Sequence, residues 1–223
     1  MKRILKIIAI GIGFGMILLV LQKSLQMDLD SFLHVYWMLA PVLVIGAVLF
    51  HVGYNLLYQR KVRKLAGLLE EGNIQEYISG MEALLKKAKG KSLRDLLTLD
   101  LAAGYVEAKH FDKAVPMLEE LGTRGMKNSG VKTVYCINLC MSYFETGQYE
   151  KAMQLYEESQ PLFEKYRDGR MYGSNIAVLD ILALIRKEQY EEAGKILSYH
   201  KEKDGTPRMQ KAFCELEKLL LFK

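Results

Sequence analysis

Few residues in this chain have the types and spacing that chemistry requires. Cys136 and Cys140 lie one helical turn apart and could share a soft metal, but no His or Cys is spaced to complete a site. Gly90-Lys91-Ser92 has the ending of a phosphate-binding loop, yet the glycine needed five residues earlier is Leu85. Gly11, Gly13 and Gly15 have the spacing of a dinucleotide loop, but no strand precedes them. His110 and His200 have no carboxylate or nucleophile at a motif spacing, and neither HExxH nor GxSxG occurs. The expectation is therefore a chain that is not an enzyme, with no cofactor, no metal and no small-molecule substrate. Three cysteines without a CxxC pair suit a reducing compartment, and Cys136 and Cys140 read as core residues.

The elements around these residues are more informative. Residues 4–21 contain one charge, Lys6, and residues 35–57 contain no Asp, Glu, Lys or Arg. Each is long enough to span a bilayer core, so two transmembrane helices are expected. No small-x-small cleavage site follows the first, so it reads as an uncleaved span. Gly11 and Gly15 on the first span, with Gly46 and Gly53 on the second, would let the two helices approach closely. His51 is the one ionisable group deep in either span, close enough to the second span's basic flank to reach toward the interface. Lys2, Arg3 and Lys6 precede the first span; Arg60, Lys61, Arg63 and Lys64 follow the second. Positive flanks stay inside, which predicts an integral protein of the cell membrane with both termini cytoplasmic.

From Arg60 to Arg94 nine Lys or Arg face four Glu, whereas residues 95–223 carry 18 basic and 20 acidic residues. Arg60, Lys61, Arg63 and Lys64 are the expected contacts to anionic lipid headgroups. Without interleaved aromatics, the cluster does not read as a nucleic-acid site.

Beyond residue 58 the pattern is helical and repeated. Residues 134–156 read as two helices joined by a turn at Gly147-Gln148, with Cys140 and Ala152 allowing close approach and Tyr143 and Tyr149 filling the space beside the turn. The same offsets recur at Ala102, Tyr105, Phe111 and Ala114, at Ile181, Leu184, Tyr190 and Ala193, and more faintly at Leu65, Leu68, Ile74 and Tyr77. The excess over a 34-residue period falls in the linkers 122–130 and 168–174, and Ser92, with Asp95 three residues on, reads as a helix start.

Phe111-Asp-Lys-Ala114, Tyr149-Glu-Lys-Ala152 and Tyr190-Glu-Glu-Ala193 make residues 58–221 resemble the tetratricopeptide repeat family. Two departures are the missing early Trp and the Ser159 and His200 at a late Ala position. The resemblance implies an all-α chain: an anchor over residues 1–58, then a helical solenoid over 59–223 of about four helix pairs plus a C-terminal capping helix. It also implies a partner-binding concave groove. Carried over by position, that face is Leu96, Leu99, Ala103 and Val106, then Val134, Ile137, Met141 and Phe144, then Asn175, Val178, Leu182 and Ile185. Eleven of the twelve are apolar, which suits an amphipathic helix and requires some cover in its absence. The function expected is a membrane-anchored adaptor or scaffold for a protein or peptide. The alternative is an accessory or assembly subunit of a transport or secretion complex, with specificity in the transmembrane hairpin.

Overall fold

The computed structural model describes residues 13, 15–24, 28–123 and 126–221, and all regular elements among them are helices. These are α1 (Gly15–Ser24), α2 (Leu29–Glu70), α3 (Ile74–Lys87), α4 (Lys91–Glu107), α5 (Phe111–Leu121), α6 (Ser129–Glu145), α7 (Tyr149–Phe163), α8 (Gly173–Arg186), α9 (Tyr190–Lys203) and α10 (Pro207–Leu221). The chain divides into two units, Met1–Tyr58 and Gln59–Lys223.

In the first unit the apolar side chains face outward. Trp37 is 72% exposed and Phe50 78%, with Leu43, Val44 and Leu49 close behind. One stretch, Pro41–Leu69, is long and apolar enough to cross a membrane, and little of it is buried within the protein. The expected first span falls mostly on residues outside those described, and its described remainder, α1, is a shorter apolar helix. The expected second span, 35–57, is part of a longer element. The 42 residues of α2 extend about 63 Å at 1.5 Å per residue, twice the ~30 Å hydrocarbon core. Arg60, Lys61, Arg63 and Lys64 lie on this same helix and are exposed.

Four turns organise the second unit. They centre on Gly72, Lys109, Gly147 and Glu188, each with φ between 58° and 82°. The residue after each turn (Asn73, His110, Gln148 or Gln189) has φ of −81° to −90° and ψ of 56° to 63°. Its N–H donates to the carbonyl five residues back, on Leu68, Tyr105, Tyr143 or Leu184, at 2.8–2.9 Å. The left-handed residue donates to the carbonyl three back, at 3.0–3.2 Å. This double bond pattern is a Schellman motif, which satisfies carbonyls that the ending helix would leave bare. Four residues past each post-turn position, Tyr77, Ala114, Ala152 and Ala193 are buried.

Small residues at these anchors let paired helices touch. Cys140 Sγ lies 3.3 Å from the Ala152 carbonyl oxygen. A Cβ added to Gly80 would come within 2.5 Å of Leu65, and one on Gly104 within 2.6 Å of Tyr77. Successive pairs are joined by a recurring bond: Tyr105 donates to Glu82 Oε1 at 2.5 Å, and Tyr143 to Glu119 Oε1 at 2.8 Å. Tyr149, expected to fill the space beside its turn, is instead 41% exposed and lies beneath the Arg186 guanidinium, 4.1 Å away. Its position opens the helix, so the side chain projects across to the end of α8.

Each helix from α3 to α10 packs on the next, and α4, α6, α8 and α10 also pack successively on one another. The short turns therefore share one edge of the unit, and the α3–α4, α5–α6 and α7–α8 connections share the other. At that second edge, α4 begins at Lys91 after Gly90 (φ 91°) without a side-chain cap, so the expected helix start at Ser92 falls inside the first turn. At α6, Asn128 Oδ1 accepts from the Val131 N–H at 3.2 Å.

Candidate functional site

The twelve groove residues lie on α4, α6 and α8, but they do not form one open surface. Leu99, Ile137, Phe144 and Val178 are buried. Ala103, Val106, Val134, Met141, Asn175, Leu182 and Ile185 are half-buried, and Leu96 is exposed. Leu99, Ile137 and Phe144 belong to the main core, with Val134 and Leu182 packed against it. Val178, Leu182, Ile185 and Met141 meet Met209, Phe213 and Leu216 of α10 in a second core. The cover that an apolar face requires is thus the chain's own last helix.

The sequence of α10 explains its place. Met209, Phe213, Leu216 and Leu220 follow steps of four, three and four, which align them on one face. Phe213 is fully buried. On its other side α10 reaches back to the first of the stacked helices. Glu215 accepts from Lys109 Nζ at 3.0 Å, and Arg208 Nε donates to Glu107 at 2.7 Å. The helix packs on both α8 and α9 and covers the apolar side chains of α8 and Met141 of α6. Beneath it remains a cavity of about 150 Å³, lined by Val106, Ile137, Met141, Asn175 and Val178.

The open part of the surface lies at the other end of α4. A cleft of about 650 Å³ is walled by Leu96, Leu121, Met126 and Val131, with Lys91, Ser92, Asp95, Lys127 and Asn128 around it. Four apolar walls with polar groups beside them suit an inserted apolar side chain better than a compact polar ligand. Of the groove residues named from the sequence, Leu96 alone lines it.

A buried polar cluster escaped the sequence reading. Asp180 lies in the apolar run Ile176–Ile185 between Leu179 and Ile181, both fully buried. Its carboxylate accepts from Tyr156 at 2.7 Å and pairs with Arg167 Nη1. Arg167 also donates to Gln160 Oε1 at 2.8 Å. Burial raises the Asp180 pKa, and the Tyr156 hydroxyl and Arg167 guanidinium oppose that rise. Asp180 lines neither cleft, and its bonds fasten the α7–α8 connection to α8, which is a positioning role. The signal was available: a lone carboxylate in an apolar helix needs a partner.

Burial pushes the Cys140 thiol up to about 12, which leaves it an inert core group. Among the described residues no group of three His, Cys, Asp or Glu is placed to hold an ion. His51 accepts or shares a hydrogen bond with Asn55 Nδ2 at 3.2 Å, one turn along α2. Set against family models, curated proteins and solved structures, the chain matches none.

Proposed function

We propose that the chain is a membrane-anchored adaptor whose cytoplasmic part is a helical-repeat array of the tetratricopeptide type. The observation that carries this reading is the fourfold turn, with one backbone geometry at Gly72, Lys109, Gly147 and Glu188. Units that repeat in this way stack into extended binding surfaces. The anchor is α2, supported by its outward apolar side chains, and the basic flanks favour both termini in the cytoplasm. The ligand is a protein or peptide that inserts an apolar side chain into the cleft at Leu96. The remainder of the concave face already holds an amphipathic helix, α10.

Photo-crosslinking from position 96 in cells tests the binding surface, with position 154 on α7 as the control. The adaptor reading expects a discrete protein adduct from position 96 that survives replacement of residues 1–58 by an unrelated membrane hairpin. Loss of the adduct on that exchange would move specificity into the hairpin and favour an accessory subunit. A cytoplasm-dependent reporter fused after Lys223 should be active, and a silent reporter would overturn the orientation.

A further inference from the structure

Some cations of the second unit are ion-paired and others, Lys165, Arg170, Lys211 and Lys218 among them, are exposed without an ion pair among the described residues. From Glu107 onward many are matched, including Lys109 with Glu215, Lys151 with Glu119, Lys187 with Glu157 and Lys201 with Glu217. Lys86, Lys87, Lys91 and Lys127, by contrast, are exposed and make no ion pair among the described residues. These four occupy one edge. Lys86 and Lys87 end α3, Lys91 begins α4, and Lys127 shares a cleft with Lys91. Leu65 approaches Gly80 of α3 across the Gly72 turn, and Arg60, Arg63 and Lys64 precede Leu65 on α2.

Helix dipoles explain only part of this distribution. A dipole favours cations at a helix end, which accounts for Lys86 and Lys87. It disfavours them at a helix start, yet α4 starts on Lys91, and neither α4 nor α6 has an acid in its first turn. At the opposite, turn edge α3, α5, α7 and α9 all begin with acids, Glu76, Asp112, Glu150 and Glu191 among them, and Lys109, Lys151 and Lys187 there are ion-paired. Those acids follow the dipole preference, whereas Lys91 at the start of α4 goes against it. Asp95 lines the same cleft as Lys91 and Lys127, but none of the four lysines is ion-paired to an acid among the described residues.

We propose that the edge formed by the α3–α4 and α5–α6 connections lies on an anionic bilayer surface, held there by Lys86, Lys87, Lys91 and Lys127. The inference rests on the membrane-anchor reading and extends contact beyond Arg60–Lys64 to the repeat unit itself. Anionic lipid is the occupant that matches the charge, since α2 carries the candidate span and Arg60–Lys64 come directly after its uncharged residues 35–57. Contact of this kind weakens as salt screens it.

The two ends of α5 provide the test. The full chain, with the exposed Cys214→Ser and the buried Cys136 and Cys140 left in place, is given a fluorophore at Thr123→Cys or at Asp112→Cys. It is placed in nanodiscs of phosphatidylcholine with or without phosphatidylglycerol, plus lipid carrying a headgroup spin label. Quenching is expected at position 123 but not at 112, only with phosphatidylglycerol, and it should be lost at high salt. It should also be lost in the exposed-site variant Lys86→Gln/Lys87→Gln/Lys91→Gln. Equal quenching at both positions, or none at 123 in anionic discs, overturns the proposal while leaving the anchor intact. A chain that elutes free of the discs overturns the anchor reading and the inference with it.

Discussion

Lys109 Nζ and Glu215 Oε2 lie 3.0 Å apart, although 106 positions of chain separate them. Lys109 is the left-handed residue of the second turn, and Glu215 is in the middle of α10. The contact brings the last helix back to the first of the stacked set. Both side chains are about half exposed, so the pair itself contributes little, roughly 0–1 kcal/mol. The apolar face of α10 contributes more. Phe213→Ala should destabilise the second unit by about 3–5 kcal/mol, because a fully buried aromatic leaves a cavity among α8, α9 and α10. Glu215→Ala should cost less than about 1 kcal/mol. Thermal unfolding of the full chain in detergent measures both, and equal losses would mean that charge rather than packing holds the helix.

A second prediction concerns the turns. Gly72 and Gly147 adopt positive φ without a Cβ, but Lys109 and Glu188 carry one there. A left-handed residue with a side chain costs about 1–2 kcal/mol, part of which glycine returns as unfolded-state entropy. Glu188 makes no side-chain bond among the described residues, so Glu188→Gly should raise stability by several tenths to about 1 kcal/mol. Gly147→Ala should lower it. A destabilised Glu188→Gly protein would show that the Glu188 side chain contributes more than its backbone costs.

Local pairings were legible in the sequence because both partners lie within a dozen residues. The spacing of Cys140 to Ala152, with Gly147 between, specifies two helices, a turn and a close contact, and the structure has all three. The return of α10 to Lys109 was not legible. It depends on small rotations accumulated over several helix pairs, which no local pattern records. Tyr149 shows the same limit on a smaller scale, since only the neighbouring pair supplies the Arg186 that covers it. Asp180 gave a signal without an answer: its isolation in an apolar run called for a partner, but Arg167 approaches from an irregular connection without helical periodicity. Most of the candidate groove residues divide between two cores and the cleft at Leu96. What covers them could be settled only once the path of α10 was known.

A third prediction tests the packing register. Ala152 is fully buried, and its carbonyl lies against Cys140, whereas Gln154 is exposed on the same helix. Ala152→Leu should overpack the α6–α7 contact and cost about 1–3 kcal/mol or more. Gln154→Leu should change stability by no more than about 0.5 kcal/mol. The difference between their melting temperatures reads the register directly, and similar values would place the helix contact elsewhere.

The last prediction is a pH dependence. Asp100 on α4 is half-buried, and Tyr77, whose hydroxyl donates to the Asp100 backbone carbonyl at 2.9 Å, packs beside it. Burial raises the Asp100 carboxyl from 3.8 to about 6. A folded-state pKa above the unfolded value means that the native protein binds the proton more tightly. The associated stability is fully present below about pH 4 and is lost as pH rises through 6. At pH 8 the native state carries a buried carboxylate that the unfolded chain would hydrate, at a cost of at most about 3 kcal/mol. Asp100→Asn removes the titration and nearly preserves the shape. The variant should therefore be more stable than the parent at pH 8, with the advantage shrinking toward pH 5. Denaturant midpoints measured at both pH values decide the matter, because an advantage independent of pH would assign the effect to packing rather than charge.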